Sequence, residues 1–235
     1  LDISYRNILH ILDNIEVFSV ESRNINQILP NKDKLNLFRE FINEHTELFD
    51  LNEIMKYHLN NISNSFFNKN QIEELDNIQD EIKEYRNILQ TIANKLSYYI
   101  DKGSEFVKLE YTDKEGYYLL TTKKRGESIK SSFKNMGYKN FKVKELDLEI
   151  NPNNLEIKFL KNSCKISSDY LNSISYKMRN KEEEIKLKTT KYYLEYLEIF
   201  YNKYSDTLKE ITNFIAKVDF YKSNAKSSIM YGYYK

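Results

Sequence analysis

The sequence predicts a mainly α protein with a small β insertion: an elongated arm of two long antiparallel helices carrying a β-rich module at its tip. Three observations predict it. Stretches with a helical apolar period flank residues 103–168, which instead alternate apolar and polar residues with a period of two. Five Gly and two Pro (Pro30 and Pro152) in 235 residues suit long helices joined by few tight turns. Two apolar seams of matching period enter and leave the alternating stretch, and neither could be buried alone. The chain accordingly divides into a helical core with a descending helix (1–102), the β-rich module (103–168) and an ascending helix that returns to the core (169–235).

Residues 1–62 read as short helices. Ile3, Ile8, Leu12 and Ile15 lie about a turn apart. Leu35, Phe38, Phe41 and Ile42 form a second stripe with Asp33 as its expected N-cap, and Leu51, Ile54, Met55, His58, Leu59 and Ile62 form a third. Glu21 to Asn31, containing Leu29-Pro30, reads as a connection, because a residue before proline is pushed out of the helical region. A long helix follows, with Ile72, Leu75, Ile78, Ile82, Tyr85, Leu89, Ile92, Leu96 and Tyr99 spaced by threes and fours. Gly103 is its expected terminator, giving a span of about 45 Å.

Val107, Leu109 and Tyr111 alternate, Asp113 to Gly116 supplies a turn, and Tyr117 to Thr122 is rich in aromatic and β-branched residues. Phe141 and Val143 alternate, and the phase slips near Glu145 as at a bulge. Leu146, Leu148 and Ile150, then Leu155, Ile157 and Phe159, predict a hairpin closed by Asn151 to Asn154. From Asp169 the helical period returns. Tyr193, Leu197, Phe200, Tyr204, Leu208, Ile211, Ile215 and Val218 form a seam expected to pair with residues 72–99, in a helix of about 75 Å from Asp169 to Val218.

Composition excludes several classes. Cys164 is the sole cysteine, so no internal disulfide and no thiolate metal cage can form. No run approaches the ~18 apolar residues that span a bilayer, and no secretory leader pattern opens the chain. The sequence begins at Leu1 rather than Met, so a piece of a longer chain is expected. The abundance of Asn, Lys, Ile and Tyr reflects an AT-rich coding genome as readily as physics.

An enzyme is not expected. His10, His45 and His58 are dispersed through the N-terminal part, and His58 on an apolar stripe reads as a core histidine rather than a metal ligand. Glu73-Glu74 and Glu182-Glu183-Glu184 read as solvated helix faces, and no GxxxxGK[ST] loop is present. The functional candidate is a basic rim. Between Thr121 and Lys144 stand Lys123, Lys124, Arg125, Lys130, Lys134, Lys139, Lys142 and Lys144 against a single acid, Glu127, a local +7 in a chain whose total is +1. DNA presents one charge per ~1.7 Å of duplex axis, so such a rim suits sequence-independent backbone contact. Lys161, Asn162, Ser163 and Lys165 add cations and hydrogen-bonding groups for phosphate oxygens. Two plainer readings stand beside it: a lysine-rich chain with a lysine-rich loop, and lysines that keep strand edges from aggregating. A coiled-coil interaction module that binds a protein rather than DNA is the rival function.

Four stretches, in order, resemble the MutS family of DNA mismatch-repair proteins. FFNKNQIEELDNIQDEIKEY (Phe66 to Tyr85) is similar to the family's descending helix with its EELDELR pattern. KLEYTDKEGYYLLTTK is similar to KVGYNKVFGYYIEVTK, keeping Tyr111, Gly116, Tyr117, Tyr118, Thr122 and Lys123. FLKNSCKISSDYL resembles TLKNAERYITPEL, keeping Leu160, Lys161, Asn162 and Leu171, with Lys165 in place of Arg and Asp169 in place of Pro. IAKVDFYKSNAKSSIMYGYYK resembles LAELDVLASLAEVAREYGYVRP, keeping Asp219, Ser223, Ala225, Tyr231 and Gly232. The match covers Phe66 to Lys235. Residues 1–65 agree in helical character only, and the rim from Arg125 to Asp147 is more basic than the family pattern.

The resemblance implies the lever and clamp regions of a MutS protein. Its partners would be double-stranded DNA, contacted without reading sequence, and a second MutS-type subunit in a homodimer or heterodimer, with no membrane involved. The location implied is intracellular and DNA-associated. This stretch would hold no cofactor; ATP and Mg²⁺ would belong to an ATPase domain elsewhere in a longer parent.

Overall fold

The computed structural model describes residues 32–101 and 104–233, together with His10, Asn14 and Pro30. The first expected stripe, the Glu21–Asn31 connection and the Gly103 terminator lie outside the described residues. The architecture is mainly α with a small antiparallel β insertion, as expected. Contacts gather the described residues into two compact units. One comprises residues up to Asn61, Phe66–Gln71 and the chain from Thr190; the other comprises Ile62–Ser65 and Ile72–Thr189.

In the first unit, helix α1 (Lys32–Leu48) buries Phe38 and Ile42 against Ile211, with Leu35, Phe41, Leu208 and Ile215 packed around them. Asp33 lies inside the first turn of α1 rather than at its cap, where its charge still complements the helix N-terminus. Asn68 Nδ2 donates to the terminal carbonyls of Thr46 (3.0 Å) and Glu47 (2.8 Å), and Asn68 N–H donates to Leu48 O (2.9 Å). That pairing, with a Phe49–Phe67 bridge, ends α1 and returns the chain across it. The third stripe therefore forms only one helical turn, α2 (Leu51–Ile54), capped by Asp50. Met55 (74% exposed) and Leu59 (54%) point to solvent, and His58 is exposed rather than in a core.

The second unit is built on helix α3 (Glu73–Tyr98), which buries Leu75, Ile78, Leu89, Ile92 and Leu96 of the expected seam. Its partner is the first third of the C-terminal helix α5 (Asp169–Tyr231). The pair runs antiparallel, with ion pairs Arg86–Glu182 (3.4 Å), Glu81–Lys181 (3.2 Å) and Glu74–Lys188 (2.6 Å) along its flank. Leu171, Ile174, Met178 and Ile185 of α5 are the buried residues on the facing side. The expected pairing of 72–99 with 193–218 is corrected: that later seam packs with α1. Lys181, half-buried between Glu81 and Glu184, interrupts the apolar spacing of 171–185 and hid the true partner.

Ser97 ends α3. Its hydroxyl donates to Ala93 O (3.0 Å) and accepts from the amides of Phe106 (3.1 Å) and Val107 (2.8 Å), turning the chain into the sheet. Strands β1 (Lys108–Thr112), β2 (Gly116–Thr122), β5 (Glu156–Phe159) and β6 (Ser163–Ser167) form an antiparallel sheet of order β1-β2-β6-β5. The short β3 (Phe141–Val143) and β4 (Leu148–Ile150) pair separately. The hairpin expected across Asn151–Asn154 is thus wrong: β4 pairs with β3, and β5 with β6. Asn151 Oδ1 accepts from Asn153 N–H (2.9 Å) and caps a single 3₁₀ turn, leaving the chain extended on both sides instead of folded back. The phase slip at Glu145 is likewise a 3₁₀ turn, Lys144–Leu146, closed by Asp147 in the left-handed region. It reverses the chain between β3 and β4.

In the first unit His45 lies among Phe41, Phe49 and Phe200, with ring centroids 5.0–6.0 Å away. Neither ring nitrogen finds a hydrogen-bond partner, and burial holds its pKa below the ordinary histidine value. The unfolded chain therefore takes up this proton more readily. Stability is full above about pH 6.5 and declines as the pH falls toward the folded-state pKa. His45→Phe is expected to flatten urea midpoints between pH 7.5 and about pH 5.5 and to stabilise by about 1 kcal/mol by removing two unpaired nitrogens. An unchanged pH slope in that variant would contradict the assignment.

Candidate nucleic-acid interface

The basic segment expected as a rim on β structure is a helix. α4 (Lys123–Asn135) begins directly at the end of β2, and its amphipathic pattern buries Gly126, Ile129 and Phe133. Gly126 is required by close approach: a Cβ there would lie 2.4 Å from Cys164 Sγ and 2.7 Å from Cys164 Cβ on β6. With that face pressed to the sheet, Lys123, Glu127, Lys130 and Lys134, spaced 4, 3 and 4 apart, form one outward stripe.

Lys123 N–H donates to Asn162 O (3.2 Å), so the β5–β6 turn carrying exposed Lys161 and Asn162 sits at the start of α4. Lys123, Lys124 and Arg125 occupy the first turn of α4, which contains no acid. Cations beside the positive end of a helix dipole repel it, typically by 0.3–1 kcal/mol each near the surface. The fold tolerates an arrangement that an anion would relieve.

The expected residues do not all share this surface. Lys123, Lys124, Lys130, Lys134, Lys139, Lys161 and Asn162 are exposed, and Ser163 is half-buried at the start of β6. Arg125 is turned onto the Phe106 ring, 4.0 Å from its centroid. Lys165 is only 19% exposed; it pairs with Glu115 (2.9 Å) and lies over the Tyr118 ring (4.6 Å). Its charge is already answered. Sequence reasoning counted Glu127 only as the rim's lone acid and Phe159 only as a strand residue, and missed Tyr138; with Lys123, Lys130 and Lys134 these three line an open groove of about 550 Å³. The signal available was helical spacing in 123–134, obscured by the strand patterns on both sides.

A second polar cluster fixes the β1–β2 hairpin. Gly116 has φ +73°, and a Cβ there would lie 2.9 Å from both Ser175 Oγ and Arg179 Cδ. Tyr117 N–H donates to Ser175 Oγ (2.8 Å), and its hydroxyl donates to Glu182 (2.6 Å). Arg86 reaches both Tyr117 Oη (3.3 Å) and Glu182 (3.4 Å). Burial, with the bond to Glu182, raises the Tyr117 phenol to about 12, so it stays a donor throughout the physiological range. Cys164 is buried with its pKa raised, an inert thiol. Among the described residues no helix is long and apolar enough to cross a membrane.

No protein-family model matches the chain. It is 28% identical over 244 residues to a protein of Acanthamoeba polyphaga mimivirus named putative DNA mismatch repair protein mutS homolog L359. The alignment takes in 93% of this chain and 20% of that protein, so the chain spans a fifth of its relative's length. The similarity is to a MutS-related sequence.

Gly126→Ala is expected to lower stability by about 1–3 kcal/mol through overpacking against Cys164, even though alanine favours a helix over glycine. The measurement is the urea midpoint at constant m-value. A midpoint at or above that of the parent chain would mean that α4 does not lie against β6.

Proposed function

We propose that the chain is the lever and clamp region of a MutS-like DNA mismatch-repair protein, with α4 as a pad that rests on duplex phosphates irrespective of sequence. The observation that carries this reading is the exposed run Lys123, Lys124, Lys130 and Lys134 on a helix whose first turn contains no acid. The similarity to the mimivirus protein supports the family half of the reading. In a longer protein this region would couple the position of the pad to an ATPase domain outside these residues, where ATP and Mg²⁺ would act, and would work beside a second MutS-type subunit. The region itself would carry no catalysis.

A second reading rests on a different surface. Leu194, Leu197 and Tyr201 (65%) are exposed on one side of the C-terminal helix, as on a module that docks another protein. Salt separates the two, because apolar docking is nearly indifferent to it while phosphate contact is not.

Duplex DNA binding is expected to weaken with a log–log salt slope of about −3 to −4, since each of three or four neutralised phosphates adds about −0.9. Replacing Lys123, Lys124, Lys130 and Lys134 together by Glu should abolish binding with the helical circular-dichroism signal unchanged. Lys165→Met, at an already paired lysine, should leave affinity nearly as it was. Persistent binding by the four-residue variant, or a loss on Lys165→Met as large as on Lys130→Met, would refute the pad as drawn.

A further inference from the structure

The groove along the flank of α4, where it meets Phe159 of β5, contains more than lysine. α4 ends in a Schellman arrangement: Tyr138 N–H donates to Phe133 O (2.9 Å), and Gly137 N–H donates to Lys134 O (3.0 Å). Gly137 has φ +62°, as that motif requires. Tyr138 follows it at φ +54°, a left-handed conformation that an aromatic residue adopts rarely and at a cost of order 1 kcal/mol. Its result is geometric. Two successive left-handed residues set Tyr138, 36% exposed, in the wall of the groove beside Lys123, Lys130 and Lys134, with Phe159 as a second aromatic lining residue. Lys130 Nζ lies 5.9 Å from the Phe159 ring centroid.

A paired duplex presents phosphates to such a surface but keeps its base faces stacked internally, so duplex contact uses the lysines and leaves the aromatic wall idle. We infer that the groove binds one unpaired nucleotide, its base against Tyr138 and its phosphates on Lys123, Lys130 and Lys134. Aromatic side chains beside a cationic track are the recurring means of holding single-stranded nucleic acid, because every base has a π-face. The groove volume lies within the range of small-molecule sites. Glu127, the one acid of the stripe, would oppose a bare phosphate but is a suitable acceptor for the amino group of a base edge. The site rests on the pad proposed above and assigns it a ligand beyond duplex phosphate: DNA with a gap, flap or extruded base.

The test is competition binding of the 235-residue chain to a fully paired duplex and to the same duplex carrying a short single-stranded gap. Gapped DNA should bind roughly tenfold tighter, as one stacked base implies. A 2-aminopurine placed in the gap should change its fluorescence on binding. Tyr138→Ala should abolish the preference and the fluorescence change while leaving paired-duplex affinity and its salt slope unaltered, and Tyr138→Phe should preserve both. Equal affinity for gapped and paired DNA, or a preference that survives Tyr138→Ala, overturns the inference and leaves the pad standing. Loss of all salt-dependent DNA binding in the parent chain would instead remove the pad itself.

Discussion

Everything in the second unit rests on one apolar contact, the seam in which α3 lays Leu89, Ile92 and Leu96 into the same core as Leu171, Ile174 and Met178 of α5. Burying a side chain of this size is worth about 1.5–3 kcal/mol, so a handful of them outweighs the ion pairs along the flank, each worth at most about 1 kcal/mol in water. The salt bridges set register and direction; the seam supplies the adhesion. The sheet completes the same core through Leu119, Cys164 and Ile166, and α4 closes it with Ile129 and Phe133. The basic helix is therefore held mainly by its apolar face, with Ser132 Oγ donating to Tyr99 O (3.0 Å), and its stripe of Lys123, Lys130 and Lys134 stays at the surface.

That division explains an otherwise unfavourable arrangement. A helix start crowded with Lys123, Lys124 and Arg125 repels itself and its own dipole, and among the described residues Arg125 alone of the three lies over an aromatic ring. Lys165, by contrast, is neutralised inside the fold by Glu115. Lysines serving only as a solubilising fringe would work equally well dispersed over the sheet edges. Their concentration on one face of one helix, next to the turn at Lys161 and Asn162, is what sets this surface apart.

Much of the fold was legible because periodicity is a direct imprint of burial. The α3 seam, the alternation in β1 and β2, and the return of the helical period at Asp169 all stand in the structure where the apolar residues placed them. What misled was pairing. Apolar spacing says that a face is buried but not against what, and Lys181 broke the pattern of the stretch that α3 selects. The Asn151–Asn154 turn carries hairpin residues, yet its neighbours belong to two different sheets, because β4 folds back onto β3 just before it and β5 onto β6 just after it. The site was half legible: charge located α4, but its helical spacing was obscured by the strand patterns on both sides, and nothing local announced that Lys165 was engaged or that Tyr138 would be held in a left-handed conformation.

The Arg86–Tyr117–Glu182 cluster makes the hairpin a gauge of helix register. One of its members belongs to α3, one to β2 and one to α5, and its hydrogen bonds measure 2.6–3.4 Å. Sliding either helix past the other by a single residue, a rise of about 1.5 Å, strains the Arg86–Glu182 contact, which at 3.4 Å has no slack. The ring, fixed by its strand, cannot follow both. Axial creep in this helix pair is thus felt at the turn end of the hairpin, where the Tyr117 hydroxyl is bonded to both helices, so the sheet is geared to the helices rather than merely resting on them.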